Sequence, residues 1–451
     1  MMKSRNSGAR RFDMIARLPI AFAGILLVIG LLPGLVNAGP ITVIQVTHND
    51  VVDAEPSIAI NPLNSKNVVA GWISGTTESY SCTYGASFDG GRSWKSIGPV
   101  PGMPQPFSGD PSVVFDKDGN VYFSCGVGTG PAGRGIDFVS RSTDGGLTWG
   151  APVAAFASTN EFKGIDFTKI SANPVSGDIY LVTQLALSIG QGGIFFVRST
   201  DHGASFSAPI QINKPNDGSY TDDPYAVGVD SSTVYVTYGA GSSADQKFFN
   251  YDRIFVAKST DGGATFSGGQ KVLEVVPLPT YLPNFSRFHL TDANLWSAVD
   301  RRSGEIYVNF VDYRNGDADV WLLRVRDTGD AFVSDGVARI NDDPVGDGAD
   351  QFYPFLSLAP NGRADICFLD RRYATGNNLL FTTCAYSNDA GLTFTNVQVT
   401  TVGFDASNNI FIQDYEWQAS TDRFVMPIFI SDGFSGADWF GQEVFVARVT
   451  L

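Results

Sequence analysis

Histidine and cysteine are scarce, with three and four residues in a chain of 451. That excludes a dense His/Cys metal centre. His48, His202 and His289 are scattered as well, which argues against a histidine-based triad. Charge is thin, at 17% against about 25% in an ordinary globular chain. Positive charge is the thinnest of all: 31 Lys+Arg stand against 46 Asp+Glu, a formal −15. A chain without basic patches is a poor partner for nucleic acid or an anionic membrane. No G-x-S-x-G, H-E-x-x-H or phosphate-cradling glycine loop occurs. What is plentiful is glycine, at 49 residues, and aromatic side chains, at 12%, in a chain that is 43% hydrophobic. This is not a disordered composition, and it points to β-structure with many tight turns.

Residues 1–38 have the layout of a secretory leader. Lys3, Arg5, Arg10, Arg11 and Arg17 precede an apolar run from Leu18 to Val36, which ends in Val36-Asn37-Ala38 before Gly39. An uncleaved anchor is the alternative, since the run is nearly long enough to span a bilayer. Pro33 and the small-x-small site favour cleavage. The expected product is a secreted or periplasmic acidic protein, free of the membrane after cleavage, monomeric and able to form disulfides.

Length alone would allow about three domains, but an internal repeat accounts for the whole chain. Ser87-Phe88-Asp89-Gly90-Gly91-Arg92-Ser93-Trp94 follows the pattern S-x-D-x-G-x-[ST]-[WF]. It recurs at Ser142–Trp149, Ser199–Phe206, Ser259–Phe266 and Ser387–Phe394. The central acids Asp89, Asp144, Asp201, Asp261 and Asp389 are spaced by 55, 57, 60 and 128 residues. The last interval is two periods, and Asp327 lies halfway through it in a sixth copy, with Val325 in place of the serine. One such box means little; six in register at this period mark a repeat architecture. An apolar segment precedes each box. A second repeating pattern, strand–turn–strand, begins near Glu55, Asp110, Phe167, Pro224, Leu295, Pro354 and Tyr415. Each unit therefore holds four short strands, A to D, with the box on the C–D turn. The chain ends after a C strand, and Ile41–Val46 resembles the D strands. The expected fold is all-β: a single seven-bladed β-propeller of four-stranded antiparallel blades over 39–451, closed by the N-terminal strand in the last blade.

The boxes resemble the Asp-box, or BNR, repeats of the sialidase-like propellers, over essentially all of 39–451. The resemblance implies that the boxes are architectural and lie on the face opposite the active site. It also places the site where D–A and B–C loops meet around the channel. Sialidases of that superfamily use an arginine triad whose first member lies in an Arg-Ile-Pro motif on the first A strand. They also use a Tyr nucleophile paired with Glu, and an Asp acid/base. Here the first A strand reads Glu55-Pro56-Ser57-Ile58, without Arg. Sialidases are six-bladed, whereas this sequence predicts seven blades. Seven-bladed Asp-box relatives include xyloglucan hydrolases and non-catalytic assembly proteins, and fold alone does not choose among them.

Acids recur just before the A strands: Glu55, Asp110, Asp166, Asp223, Asp292, Asp350 and Asp414. They are candidates for a cation site or for a glycosidase carboxylate pair, or for satisfying free N–H groups where loops enter strands. Arg314 and Arg372 follow the B strands of blades five and six and suit a ligand carboxylate or a neighbouring Asp. Tyr281, Phe285 and Arg287 share one long loop with Phe288 and His289. Phe249, with Phe248 and Tyr251, lies in the adjoining loop, and Trp439 and Phe440 lie in that of blade seven. These aromatics form either a sugar platform or a plug of the channel mouth. Asp317, Asp319, Asp342, Asp343 and Asp347 are the candidate ligands for Ca²⁺, a hard cation that favours clustered carboxylates. Cys367 and Cys384 could meet across one hairpin. Cys82 and Cys125 belong to neighbouring blades, and spacing does not fix connectivity. Two functions are open: recognition of extracellular glycan or protein without catalysis, or glycoside hydrolysis that is sialidase-like or inverting. Glu55, Asp110, Asp223, Arg314 and Arg372 are the catalytic candidates.

Overall fold

The computed structural model describes residues 39–49, 51–76, 79–104, 108–128, 135–158, 164–187, 191–218, 220–241, 251–279, 282, 294–405, 417–431 and 442–451. They form seven antiparallel sheets and, among the described residues, no helix. The A strands are Val52–Ile60, Ser108–Phe115, Gly164–Ala172, Tyr220–Gly228, Trp296–Asp300, Gln351–Leu358 and Trp417–Ser420. Each contacts the A strand of the next sheet, and the last returns to the first, so the sheets close into a ring. This is the seven-bladed propeller the repeat predicts. Blade 6 adds a short strand, Phe404–Asp405, beside its C strand.

Burial is graded from channel to rim. The B strands Val234–Gly241 and Phe424–Ser431 are buried along their whole length, whereas the outer strand Lys95–Pro99 is mostly exposed. Blades pack face to face through β-branched and aromatic side chains, which suit a pleated surface. Close approach needs glycine in places. A Cβ on Gly71 of blade 1 would lie 2.6 Å from the Phe123 ring of blade 2.

The ring closes as expected. Ile41–Gln45 pairs antiparallel with Glu443–Thr450, with Ile41 opposite Val449 and Gln45 opposite Phe445. Beyond this strand the Thr47 hydroxyl donates to Glu443 Oε2 (2.5 Å) and accepts the Val444 N–H (2.9 Å). Both expected disulfides form. Cys367–Cys384 joins directly opposed residues within blade 6, and Cys82–Cys125 joins blade 1 to blade 2.

The boxes are turns built around one carboxylate. Asp89 Oδ1 accepts the Arg92 and Ser93 N–H groups (both 2.9 Å), and Oδ2 accepts the Ser93 hydroxyl (2.6 Å). The Ser87 hydroxyl donates to Oδ1 and accepts the Gly91 N–H (2.9 Å), while Gly90 and Gly91 supply φ of 77° and 81°. The same serine–aspartate core recurs around Asp144, Asp201, Asp261 and Asp389. The boxes also grip the preceding blade. Trp149 packs edge-on against Tyr84 of blade 1 as well as Phe123 of its own blade, and Arg198 of blade 3 donates to the Gly262 carbonyl of the blade 4 box (2.6 Å). The sixth copy departs from this pattern. Val325 offers no hydroxyl to hold the turn, and the chain makes a tight hairpin with Asp327 opposite Phe332. Asp327 instead accepts from Tyr235 (2.8 Å) and Lys258 (2.6 Å) of blade 4, keeping the link between blades without the box turn.

Candidate functional site

The A strands carry a recurrent irregularity. Register breaks fall between Ala54/Ser57, Gly109/Ser112, Asp166/Lys169, Asp222/Tyr225 and Phe352/Phe355. At four of them the first bulged residue is left-handed: Glu55 (φ 52°), Asp110 (52°), Phe167 (50°) and Tyr353 (52°). Three of these precede proline, which itself disfavours compact conformations. Such backbone costs about 1–3 kcal/mol per residue and persists where surrounding contacts enforce it. Those contacts come from the neighbouring blade. Glu55 Oε2 accepts the Asp110 N–H (2.8 Å), and Asn294 Oδ1 accepts that of Tyr353 (3.0 Å). Two residues further on, Ser57 Oγ accepts from Val113 (2.9 Å) and Ser112 Oγ from Ile170 (3.0 Å). Adjacent A strands do not pair as a sheet, so side chains satisfy their N–H groups instead.

This geometry reorders the row of acids. Glu55 and Asp110 occupy bulge positions side by side in blades 1 and 2. Asp166 lies one residue before its bulge and Asp350 three before, so the acids do not form an equivalent ring. Asp350 instead pairs with the fully buried Arg371 (3.0 Å), and burial raises the Asp350 carboxyl above its ordinary range. The Asp223 side chain, Asp292 and Asp414 lie outside the described residues, as do Tyr281, Phe285, Arg287, Phe249 and Trp439.

Tyr80, at the start of the blade 1 C strand Ser79–Ser87, was not singled out in the sequence. Burial, then the charges of Glu55 and Asp110, raise its phenol above the ordinary value. The structure thus gathers a phenol and two carboxylates from two blades. Behind them lies a fully buried acid, Asp137, on the blade 2 C strand Gly135–Ser142. Its Oδ1 accepts the Thr168 hydroxyl (2.8 Å), and burial pushes its carboxyl up to about 7, with Asp110 adding to the rise.

Among the described residues, aromatic side chains of the A strands meet one another. The Trp296 ring packs against Tyr225 (4.2 Å), Trp417 (4.6 Å) and Phe355 (5.1 Å). The ammonium of Lys169, from the blade 3 A strand, lies 5.5 Å from the Phe167 and Trp296 rings and 5.7 Å from Trp417. Lys169, Tyr225 and Phe355 each stand two residues after the first bulged residue, a spacing that could have pointed to them.

The arginine candidates have acidic partners. Arg314 chelates Asp312 with two 2.7 Å bonds and lies over the Trp321 ring at 4.5 Å. Arg372 contacts Asp342, Asp370 (2.7 Å) and Asp343 (3.7 Å). The calcium candidates are drawn into the same network. Asp319 and Asp343 both accept from Arg339 and from Asn341. Asp317 accepts the Gly348 N–H (2.9 Å), and Asp347 accepts that of Ala349 (2.8 Å). Among the described residues no three acids, His or Cys gather as a metal-binding set.

No family model and no curated protein matches the chain. Solved structures do. A protein of unknown function from Dyadobacter fermentans is 13% identical, with 91% of this chain and 99% of that one covered, at a TM-score of 0.50. A polysaccharide lyase described as an ulvan lyase is 13% identical, with 89% and 95% covered, at a TM-score of 0.50. A Hadza microbial sialidase is 14% identical, with 85% and 73% covered, at 0.48. At such identities the likeness is one of fold: a β-propeller shared with carbohydrate-active and uncharacterised proteins.

Proposed function

We propose that this is an exported, sialidase-like Asp-box propeller that binds a glycan across its channel mouth without turning it over. The carrying observation is the pair of strained bulges that holds Glu55 and Asp110 side by side near Tyr80. Carboxylates and a phenol are strong partners for sugar hydroxyls. Tyr281, Phe285, Phe249 and Trp439 would add ring surfaces for apolar sugar faces, and Arg287 a donor for sugar hydroxyls, if their loops reach this site as the resemblance implies. Asp223 would extend the acidic wall into blade 4. Two disulfides suit an oxidising compartment. The solved structure of an ulvan lyase with a similar fold supports the choice of carbohydrate over a protein ligand. Arg314 and Arg372 are held by acids, which supports binding over a catalytic carboxylate clamp.

One observation favours a second reading. A phenol flanked by two carboxylates has the parts for glycosidic-bond cleavage, with Tyr80 as nucleophile or acid and Glu55 or Asp110 as its proton partner. A glycan array run beside hydrolysis assays on fluorogenic sialosides, neutral glycosides and uronic-acid polysaccharides separates the two. Binding without turnover, weakened in Glu55→Gln, Asp110→Asn, Tyr281→Ala and Trp439→Ala, is the expected result. Turnover abolished in Tyr80→Phe would establish the second reading, and silence in every assay would leave a protein partner.

A further inference from the structure

The two disulfides differ in what they join. Cys367–Cys384 ties neighbours that are already paired in blade 6, whereas Cys82–Cys125 crosses between blades 1 and 2. Its position is specific. The blade 2 register passes from Gly109 opposite Gly126 to Ser112 opposite Ser124, so Cys125 stands behind the bulged pair Asp110-Pro111. In blades 1, 4 and 6 the equivalent backing residues are Trp72, Tyr238 and Phe368, large and fully buried. Blade 2 has a small side chain there and fills the space with a covalent bond to its neighbour.

The other end of the bond is just as well placed. Cys82 lies two residues after Tyr80 on the same strand. Its N–H donates to the buried Ser108 hydroxyl (3.0 Å), and its sulfur lies 3.7 Å from the Gly109 carbonyl oxygen. Ser108 and Gly109 immediately precede Asp110. The strand carrying Tyr80 and the bulge carrying Asp110 are therefore joined at three adjacent points: a disulfide, a hydrogen bond and a sulfur–carbonyl contact. They adjoin in sequence the Asp110 N–H that Glu55 accepts.

We propose that Cys82 and Cys125 are positioning residues, whose bond clamps the Asp110 bulge of blade 2 against Tyr80 and Glu55 of blade 1. Because the clamp serves the cluster assigned to glycan binding, its effect on affinity rests on that assignment. Its effect on Tyr80 does not.

The test uses the full exported chain. The Tyr80 phenol is titrated by near-ultraviolet difference spectra between each background and its Tyr80→Phe variant. In the oxidised protein it should titrate above the ordinary value of about 10. Cys82→Ala/Cys125→Ala should bring it back toward that value and weaken binding of any array-identified glycan by about tenfold or more, the scale of a small misplacement of a binding group. Cys367→Ala/Cys384→Ala should change neither. If the first pair does not fold, Ser108→Ala in the oxidised protein should move the titration in the same direction. An unmoved titration in Cys82→Ala/Cys125→Ala, or in Ser108→Ala where that pair fails to fold, overturns the clamp. A moved titration with no glycan ligand found would uphold the clamp and reject the carbohydrate assignment.

Discussion

Carboxylates on the two faces of the ring behave in opposite ways. On the box face Asp201 is exposed and Asp89 half-buried. Hydroxyl and backbone donors hold each at about 2, below the ordinary carboxylate range. On the channel face Asp137 is buried and held up at about 7. Asp53, at the start of the first A strand, is held up at about 6 by burial, with Glu443 adding to the rise and hydrogen bonds from Ser74, Thr47 and Asn49 opposing it. The same residue type thus serves as a turn-builder on one side and carries buried, unfavourable charge on the other. The turn-builders repeat because five blades make the same turn. The buried acids follow no such repeat: Asp137 has no arginine partner among its hydrogen bonds, whereas Asp350 of blade 6, also raised by burial, is paired with Arg371.

The largest way to break this contrast is to open the ring, on which both faces depend. Deleting residues 39–47 removes the outer strand of blade 7 and the Thr47 bonds to Glu443 and Val444. It leaves the Glu443–Thr450 strand as a bare edge, a template for aggregation. Loss of cooperative melting or visible aggregation is expected, and an unchanged melting curve would refute the closure's importance.

A sharper test sits on the channel face. Asp137 favours its protonated form in the folded state, so stability falls as pH rises from about 4 to about 7 and stays lower above that. The shift corresponds to ~4 kcal/mol at most. Asp137→Asn should therefore raise the melting temperature at pH 8 and change it little at pH 4. Equal effects at both pH values would show that the buried charge is not what destabilises the fold.

The smallest effect belongs to the box face. Asp89→Ala removes several turn hydrogen bonds from one of five similar boxes and should cost about 1–2 kcal/mol at pH 7. The sign with pH is opposite to that of Asp137: the lowered carboxyl contributes above about 4, and its contribution disappears as pH falls through about 2. Chemical denaturation of both proteins at pH 7 and pH 3 reads the difference, which should narrow at the lower pH.

The fold was legible because turns constrain sequence tightly. Only serine, aspartate and glycine at fixed offsets build the box, so six copies survived as text even where Val325 had spoiled one. The closing strand was legible for the same reason, as the one D-type segment with no blade of its own. The site was less so. A bulge adds a residue to one strand, so Glu55 and Asp110 came into equivalent places while Asp166 and Asp350, similar by eye, fell out of step. Tyr80 reaches Asp110 only because two blades stand side by side, and nothing local in its strand announces that. Trp296, Trp417 and Lys169 meet across the channel from blades distant in sequence, where no short-range pattern operates.

The closing strand has a practical consequence. The Gly39 N–H donates to the Thr450 carbonyl (2.9 Å), so the described chain begins and finishes side by side. Both points lie at the end of blade 7 where C strands finish, the end that bears the boxes in the other blades. A surface, tag or fusion partner joined after Leu451 therefore departs from the side away from the channel mouth. Immobilised through its C-terminus, the molecule would present Glu55, Tyr80 and Asp110 outward to solution, in one orientation.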